Sequence, residues 1–173
     1  MAYETVHSEI IFQGRVFQVR LDDVRMPGGQ VARLDIVEHR SAVAMLPLDD
    51  QGNIWFIRQY RHPAAIELLE LPAGVMDEGE IPEVSAQREL REEIGMSAKR
   101  LEELGSFFLA PGYSNEYMYV YLAQDLSPAP LQPDADEFIE IVKVPVADVG
   151  ALIGSRKIRD AKTLATLCLW MNR

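Results

Sequence analysis

Apolar stretches separated by turn residues divide most of this chain into candidate strands. Ala42 to Leu48 is almost continuously apolar, and Asp49 to Asn53 has the composition of a turn, so the apolar return at Ile54 to Ile57 predicts a hairpin. A loop carrying Arg58, Arg61 and His62 is expected next. Later apolar stretches predict three more strands, at Leu104 to Leu109, Tyr117 to Leu122 and Phe138 to Val144.

Helical spacing of apolar residues predicts two helices near the C-terminus. One covers Val146 to Ile153 and the other Ala161 to Met171, with Asp160 as a candidate N-cap. Cys168 is the single cysteine and stands between Leu167 and Leu169, which favours a buried thiol over a reactive one.

The first 40 residues have short strand-like stretches and little apolar bulk. Ile10 to Phe12 and Val16 to Val19 flank a glycine, and a Pro-Gly-Gly turn precedes Val31 to Val37. Two or three such strands need a partner surface, either the main domain or a second subunit. We therefore divide the chain into a β-strand region, 1–40, and a main domain, 41–173, and expect Phe12 and Phe17 in the core.

The segment from Gly74 to Met96 reads GVMDEGEIPEVSAQRELREEIGM. Five residues separate Gly74 from Glu80, and seven more lead to Arg88-Glu89-Leu90, after which Arg91 precedes a pair of glutamates and a glycine. Proline favours the first turn of a helix and glycine favours the position past its end. Pro82 and Gly95 therefore predict a helix of about three turns.

The carboxylates of this predicted helix border its apolar stripe. At 100° per residue, Glu89 and Glu93 lie next to the stripe, and Glu92 and Arg88 lie on the other flank of Glu89. The stripe consists of Ala86, Leu90 and Ile94. Two carboxylates four residues apart repel each other unless a cation lies between them, so the pattern is compatible with a divalent-metal site as well as with a solvated charge run.

The composition of the chain limits the classes of molecule that it can be expected to bind. The chain has 173 residues, with 17 Lys and Arg against 27 Asp and Glu, giving a net charge of −10. That charge argues against nucleic acid or an anionic membrane as the main partner. An anionic phosphate substrate is compatible with it if bound Mg²⁺ or Mn²⁺ neutralises the acidic site. One cysteine and no visible signal peptide lead us to expect a cytoplasmic protein.

The glycine and acid spacing matches GX5EX7REUXEEXGU, where U is apolar, at every fixed position, and so resembles the signature of the Nudix hydrolases. Three further segments are similar to the ADP-ribose pyrophosphatase subfamily: Arg58 to Arg61, Glu70 to Gly74 and Ala110 to Glu116. The resemblance implies an α/β fold, namely a Nudix α/β/α sandwich with a mixed sheet plus an N-terminal antiparallel β-strand appendage. It also implies a homodimer with exchanged N-terminal strands.

The resemblance also implies roles for single residues. Metal binding would fall to the carbonyl of Ala73 and to Glu89, Glu92 and Glu93, with two or three Mg²⁺ or Mn²⁺ ions, and Glu92 and Glu93 would also serve catalysis. Arg61 would contact the phosphate or ribose of a nucleoside-diphosphate sugar. Glu70, Glu116, Arg33 and Asp35 would complete the substrate site, the last two near adenine.

The acidic run before Phe138 resembles a loop that supplies a catalytic carboxylate in this subfamily. Glu137 fits that role best because it directly precedes the predicted strand, and Asp134 and Asp136 remain alternatives.

The function implied is metal-dependent hydrolysis of ADP-ribose to AMP and ribose 5-phosphate. Two alternatives stay open: hydrolysis of another nucleoside-diphosphate sugar such as GDP-mannose, and a non-catalytic domain that senses ADP-ribose. The retained acids argue against the sensor.

Overall fold

The computed structural model describes residues 2–132 and 138–173. Its contacts separate into two units. The first unit combines Met1–Ser41 with Phe108–Tyr117, and the second combines Ala42–Phe107 with Met118–Arg173.

The first unit is built on one antiparallel sheet. Its strands are β1 (Glu4–Gln13), β2 (Phe17–Arg25) and β3 (Val31–His39), in the order β1-β2-β3. The segment 108–117 joins β3, because the amide of Val37 donates to the carbonyl of Tyr113 at 2.7 Å. Within the described residues this unit has no helix to cover the sheet, and Phe12 and Phe17 are exposed. The prediction that both phenylalanines are core residues is therefore wrong for the single chain.

The second unit contains seven strands and three helices in its described residues. They are β4 (Ala42–Pro47), β5 (Asn53–Arg61), β6 (Ile66–Glu70), β7 (Ala73–Val75), α1 (Pro82–Glu93), β8 (Met96–Phe108), β9 (Tyr117–Pro128), β10 (Ile139–Pro145), α2 (Val146–Gly154) and α3 (Ala161–Met171). One sheet has the order β10-β5-β6 and the other β7-β4-β9-β8. Strands β4 and β9 are parallel whereas β4 and β7 are antiparallel, so the sheet is mixed, as predicted.

Helices cover both sides of the second unit, which confirms the sandwich. Leu90 of α1 belongs to one buried cluster with Val43 and Met45 of β4. Leu167 of α3 belongs to the other, with Leu46 of the same strand. Because side chains alternate along a strand, β4 serves both cores and is buried throughout. No helix among the described residues has both the length and the apolarity that a membrane crossing requires.

The three predicted helices are confirmed, with Asp160 as the N-cap of α3. Two details were wrong. Arg58 and Arg61 lie in β5 and not in a loop, because β5 pairs with β6 and β10 along its length. Cys168 is exposed, since it follows the buried Leu167 and is rotated about 100° away from the core face of α3.

Candidate functional site

A glycine lets strand β7 lie directly against a carboxylate of α1. A Cβ at position 74 would stand 2.0 Å from the carboxyl carbon of Glu89 and 2.0 Å from its Oε1. Atoms cannot approach that closely, so any side chain here would displace Glu89. Gly74 is therefore required by a close approach of the β7 backbone to the Glu89 carboxylate.

The second acid of the pair is bonded to the same strand. The amide of Ala73 donates to Oε2 of Glu93 at 2.8 Å. Glu89 is 7% exposed and Glu93 is 5% exposed, as the helical geometry predicted. Nearly buried carboxylates this close together along one helix face favour a site that attracts a hard cation.

Arg88 holds the acids on the other flank of α1. Its guanidinium donates to Oε1 of Glu89 at 2.6 Å and to Oε2 of Glu92 at 3.0 Å. It also donates to both carboxylate oxygens of Glu80, at 3.1 and 2.9 Å, and to the carbonyl of Val75. Three carboxylates and one carbonyl therefore share a single cation.

These bonds change the ionisation of the groups involved. Hydrogen bonding to Glu80 raises the pKa of Arg88, and burial of the guanidinium opposes that rise. The hydrogen bond from Arg88 lowers the pKa of Glu80 to about 2, against the opposing effect of burial and with help from the amide of Asp77. Both side chains therefore stay charged across the neutral range.

A second ion cluster lies at the end of β5. Arg61 donates from Nε to Oε1 of Glu70 at 2.9 Å and from Nη2 to Oε2 at 2.7 Å. Nζ of Lys162 also donates to Oε2 of Glu70. Glu70 is 0% exposed; burial acts to raise its pKa, but the bonds from Arg61 and Lys162 outweigh burial and lower it. The pKa of Arg61 is raised by its bond to Glu70, and the charge of Glu93 adds to the effect.

Lys162 was not predicted from the sequence. Its partner Glu70 is 92 residues away along the chain, so no local pattern signals the contact. Thr163 was missed for the same reason: its hydroxyl accepts the amide of Leu71 at 2.9 Å.

The predicted adenine residues lie in the first unit. Arg33 and Asp35 line a cavity of about 600 Å³ together with residues 111–115. Arg33 pairs with Asp23 through Nε at 2.9 Å, and its side chain is exposed. Glu116 lies 3.8 Å from Nδ1 of His39.

Several groups of the second unit could hold a metal ion: the carboxylates of Glu89, Glu92 and Glu93, and the carbonyl of Ala73. The structure brings Glu89 and Glu93 to β7, whereas Glu92 faces Arg88. Across residues 2–132 and 138–173, no three His, Cys, Asp or Glu side chains are already grouped as a metal site. Glu137, Asp134 and Asp136 lie outside the described residues.

Comparisons with known proteins give matches over most of the chain. A NUDIX domain model matches residues 38–167, and a nucleoside diphosphate sugar hydrolase N-terminal domain model matches residues 3–38. An ADP-ribose pyrophosphatase of Bacillus subtilis (strain 168) is 40% identical over 162 residues, covering 92% of this chain and 88% of that protein. A GDP-mannose pyrophosphatase of Yersinia pestis (strain Pestoides F) is 30% identical over 135 residues, covering 73% and 68%.

Among solved structures, an ADP compounds hydrolase superposes with a TM-score of 0.91 at 28% identity. The match covers 99% of this chain and 94% of that one.

The Arg88–Glu80 pair predicts a pH-dependent loss of stability. Because the folded pKa of Glu80 lies below its usual value of 4.5, the pair stabilises the fold above about pH 4.5, and this contribution is lost as the pH falls towards 2. We expect Glu80→Gln to lower the free energy of unfolding at pH 7 and to differ from the wild type much less near pH 2.5. Urea denaturation at both pH values measures this difference, with the exposed Glu78→Gln as a control. An equal Glu80→Gln deficit at both pH values would contradict the assignment.

Proposed function

The chain belongs to the Nudix hydrolase family, and from this premise we propose that it hydrolyses the diphosphate of ADP-ribose. Water adds across the P–O–P linkage, and the products are AMP and ribose 5-phosphate. The observation that carries the proposal is the pair Glu89 and Glu93 held against Gly74 and Ala73. The similarity to an ADP-ribose pyrophosphatase over 92% of the chain supports the choice of substrate.

Nudix hydrolases generally use divalent metal ions, and the residues present fit such ions. We propose that two or three Mg²⁺ or Mn²⁺ ions bind through Glu89, Glu92, Glu93 and the carbonyl of Ala73. When bound, they supply charge neutralisation at the phosphoryl oxygens and a water of lowered pKa. Gly74 contributes by leaving room for the Glu89 carboxylate, and Arg88 holds Glu89 and Glu92 in orientation.

Substrate-binding roles are proposed for the residues that the family resemblance indicates. Arg61 contacts the phosphate or ribose, and Glu70 fixes the plane of its guanidinium through two hydrogen bonds. Arg33 and Asp35 contact the adenine edge, which the cavity they line can accommodate. Glu116 lies at the edge of the substrate site.

The first test is product formation. Purified protein with ADP-ribose and Mg²⁺ should release AMP and ribose 5-phosphate, and chelation of the metal should stop the reaction. Glu93→Gln should lower kcat at least about 100-fold, because a neutral amide cannot replace a carboxylate that binds metal or accepts a proton.

The matched control is Glu103→Gln, which changes an exposed glutamate of β8 and should leave kcat unaltered. Wild-type AMP production no greater than that of Glu93→Gln would contradict the proposal. Tight ADP-ribose binding without turnover would instead indicate a sensor.

The second candidate function differs only in the sugar nucleotide. The 30% identity to a GDP-mannose pyrophosphatase favours including GDP-mannose in a substrate panel. Comparing kcat/KM across the panel ranks the substrates by transition-state binding. A higher kcat/KM for GDP-mannose than for ADP-ribose would reverse the assignment.

Glu137 is proposed as the carboxylate that accepts the proton from the attacking water. It lies outside the described residues. The proposal is supported by its place directly before Phe138, in the run that resembles the subfamily's acidic loop. We expect Glu137→Gln to lower kcat about 100-fold or more with little change in KM, because general-base catalysis acts in the transition state. Wild-type activity should rise towards alkaline pH. Asp134→Asn and Asp136→Asn serve as matched variants, and a larger loss of kcat in either would move the role to that residue.

We propose further that the protein is a homodimer in which the N-terminal strands are exchanged. Strands β1 and β2 leave Ile10, Phe12 and Phe17 exposed, and β1 is an edge strand within the first unit. Exposed apolar clusters of this kind mark interaction surfaces.

Light scattering should give twice the mass of one chain, and Ile10→Asp should shift the protein towards monomer. Ile141→Asp, on an exposed position of β10, should not. A monomeric wild type at micromolar concentration would contradict the dimer.

A further inference from the structure

The N-terminus of α3 is bonded to two successive residues that precede β7. Lys162 donates to the carboxylate of Glu70, and Thr163 accepts the amide of Leu71. Thr163 is held in turn by Asp160, whose Oδ2 accepts its amide at 2.9 Å and its hydroxyl at 2.6 Å. Asp160, the N-cap of α3, therefore also helps to hold the segment that leads to Ala73, because it bonds Thr163 and Thr163 bonds Leu71.

The charges in this cluster are not shared equally. Glu70 carries one negative charge and meets two cations, Arg61 and Lys162, and with the carboxylate of Asp160, which pairs with Lys162, the four groups have a net charge of zero. Asp160 lies 3.0 Å from Nζ of Lys162, and it also accepts both bonds from Thr163. Lys162 thus supplies counter-charge to Glu70, and Glu70 neutralises Arg61 less completely than it would alone.

Part of the Arg61 guanidinium faces solvent, where an anionic ligand can reach it. Its Nε and Nη2 donate to the carboxylate of Glu70, whereas Nη1 takes no part in these two hydrogen bonds. The side chain is 38% exposed, whereas that of Lys162 is 12% exposed. An anionic ligand can therefore contact the guanidinium more readily than the ammonium group of Lys162.

We propose that Lys162 is a positioning residue for substrate binding: by sharing Glu70 with Arg61, it keeps the positive charge and the orientation of Arg61 available to a phosphate group of the substrate. The inference rests on the proposed function, because it assigns the anion that Arg61 meets. It also gives Lys162 a role in a chain with a net charge of −10, where acidic residues outnumber basic ones.

The test compares Lys162→Gln with the wild type in steady-state hydrolysis of ADP-ribose. Glutamine can still donate a hydrogen bond to Glu70 but carries no charge. We expect KM to rise about tenfold with kcat within about twofold, the pattern of a lost contact that ground state and transition state share. Lys162→Arg restores the charge and should restore KM. Lys157→Met, which removes an exposed lysine five residues earlier, should leave both constants unchanged.

A double-mutant cycle shows whether Lys162 acts through Arg61. In an Arg61→Ala background, Lys162→Gln should change KM little, because the charge it preserves is already gone. A full tenfold effect in that background would overturn the inference. So would a Lys162→Gln protein with unaltered KM, including one whose melting temperature and kcat fall together, since that pattern indicates a structural role only.

Two results separate this inference from the proposed function. If the wild type hydrolyses no substrate in the panel, both fall. If the wild type forms AMP and Lys162→Gln retains the wild-type KM, only the role of Lys162 falls. Should Lys162→Gln not fold, Lys162→Arg decides: a folded arginine variant with a tenfold higher KM overturns the inference, and one with wild-type KM upholds it.

Discussion

The burial of carboxylates in an acidic chain is the constraint on which the second unit depends. Glu70, Glu89 and Glu93 are each no more than 7% exposed. An uncompensated buried charge costs several kcal/mol, so each needs a partner. Glu70 has Arg61 and Lys162, Glu89 has Arg88, and Glu93 accepts the amide of Ala73. The positions of β7, α1 and α3 relative to one another follow from these bonds as much as from the two apolar cores.

The backbone of β7 has little room beside Glu89, and this restriction is separate from the packing of the apolar cores. Its three residues pair with β4 on one side and must pass within van der Waals contact of Glu89 on the other. Only glycine permits this at position 74. At the other end of α1, Gly95 has a φ of 68°, a left-handed conformation that ends the helix directly after Glu93. Two glycines thus define where the acidic helix lies and where it stops.

Local signals account for what could be predicted. The periodicity of α1, its proline and glycine ends, and the Asp160 cap depend on neighbours within a few residues, and all are confirmed. Contacts between distant segments could not be predicted from local sequence. Lys162 and Glu70 are 92 residues apart, and β5 extends through Arg61 because it pairs with β6 and β10. The exposed Phe12 and Phe17 were misplaced because apolar residues predict burial without indicating which surface buries them.

The two arginines near the acids differ in how much of their charge is neutralised, and this difference separates their roles. Arg88 contacts three carboxylates, so its charge is more than balanced and it is suited to holding α1 acids in position. Arg61 contacts one carboxylate and shares it with Lys162, so in its proposed role part of its charge would be left for a ligand. Metal ions and incompletely neutralised cations are two means by which an acidic site can bind a diphosphate. In the proposed function, the carboxylates on α1 would hold the metal ions, and Arg61 beside Glu70 would be the cation.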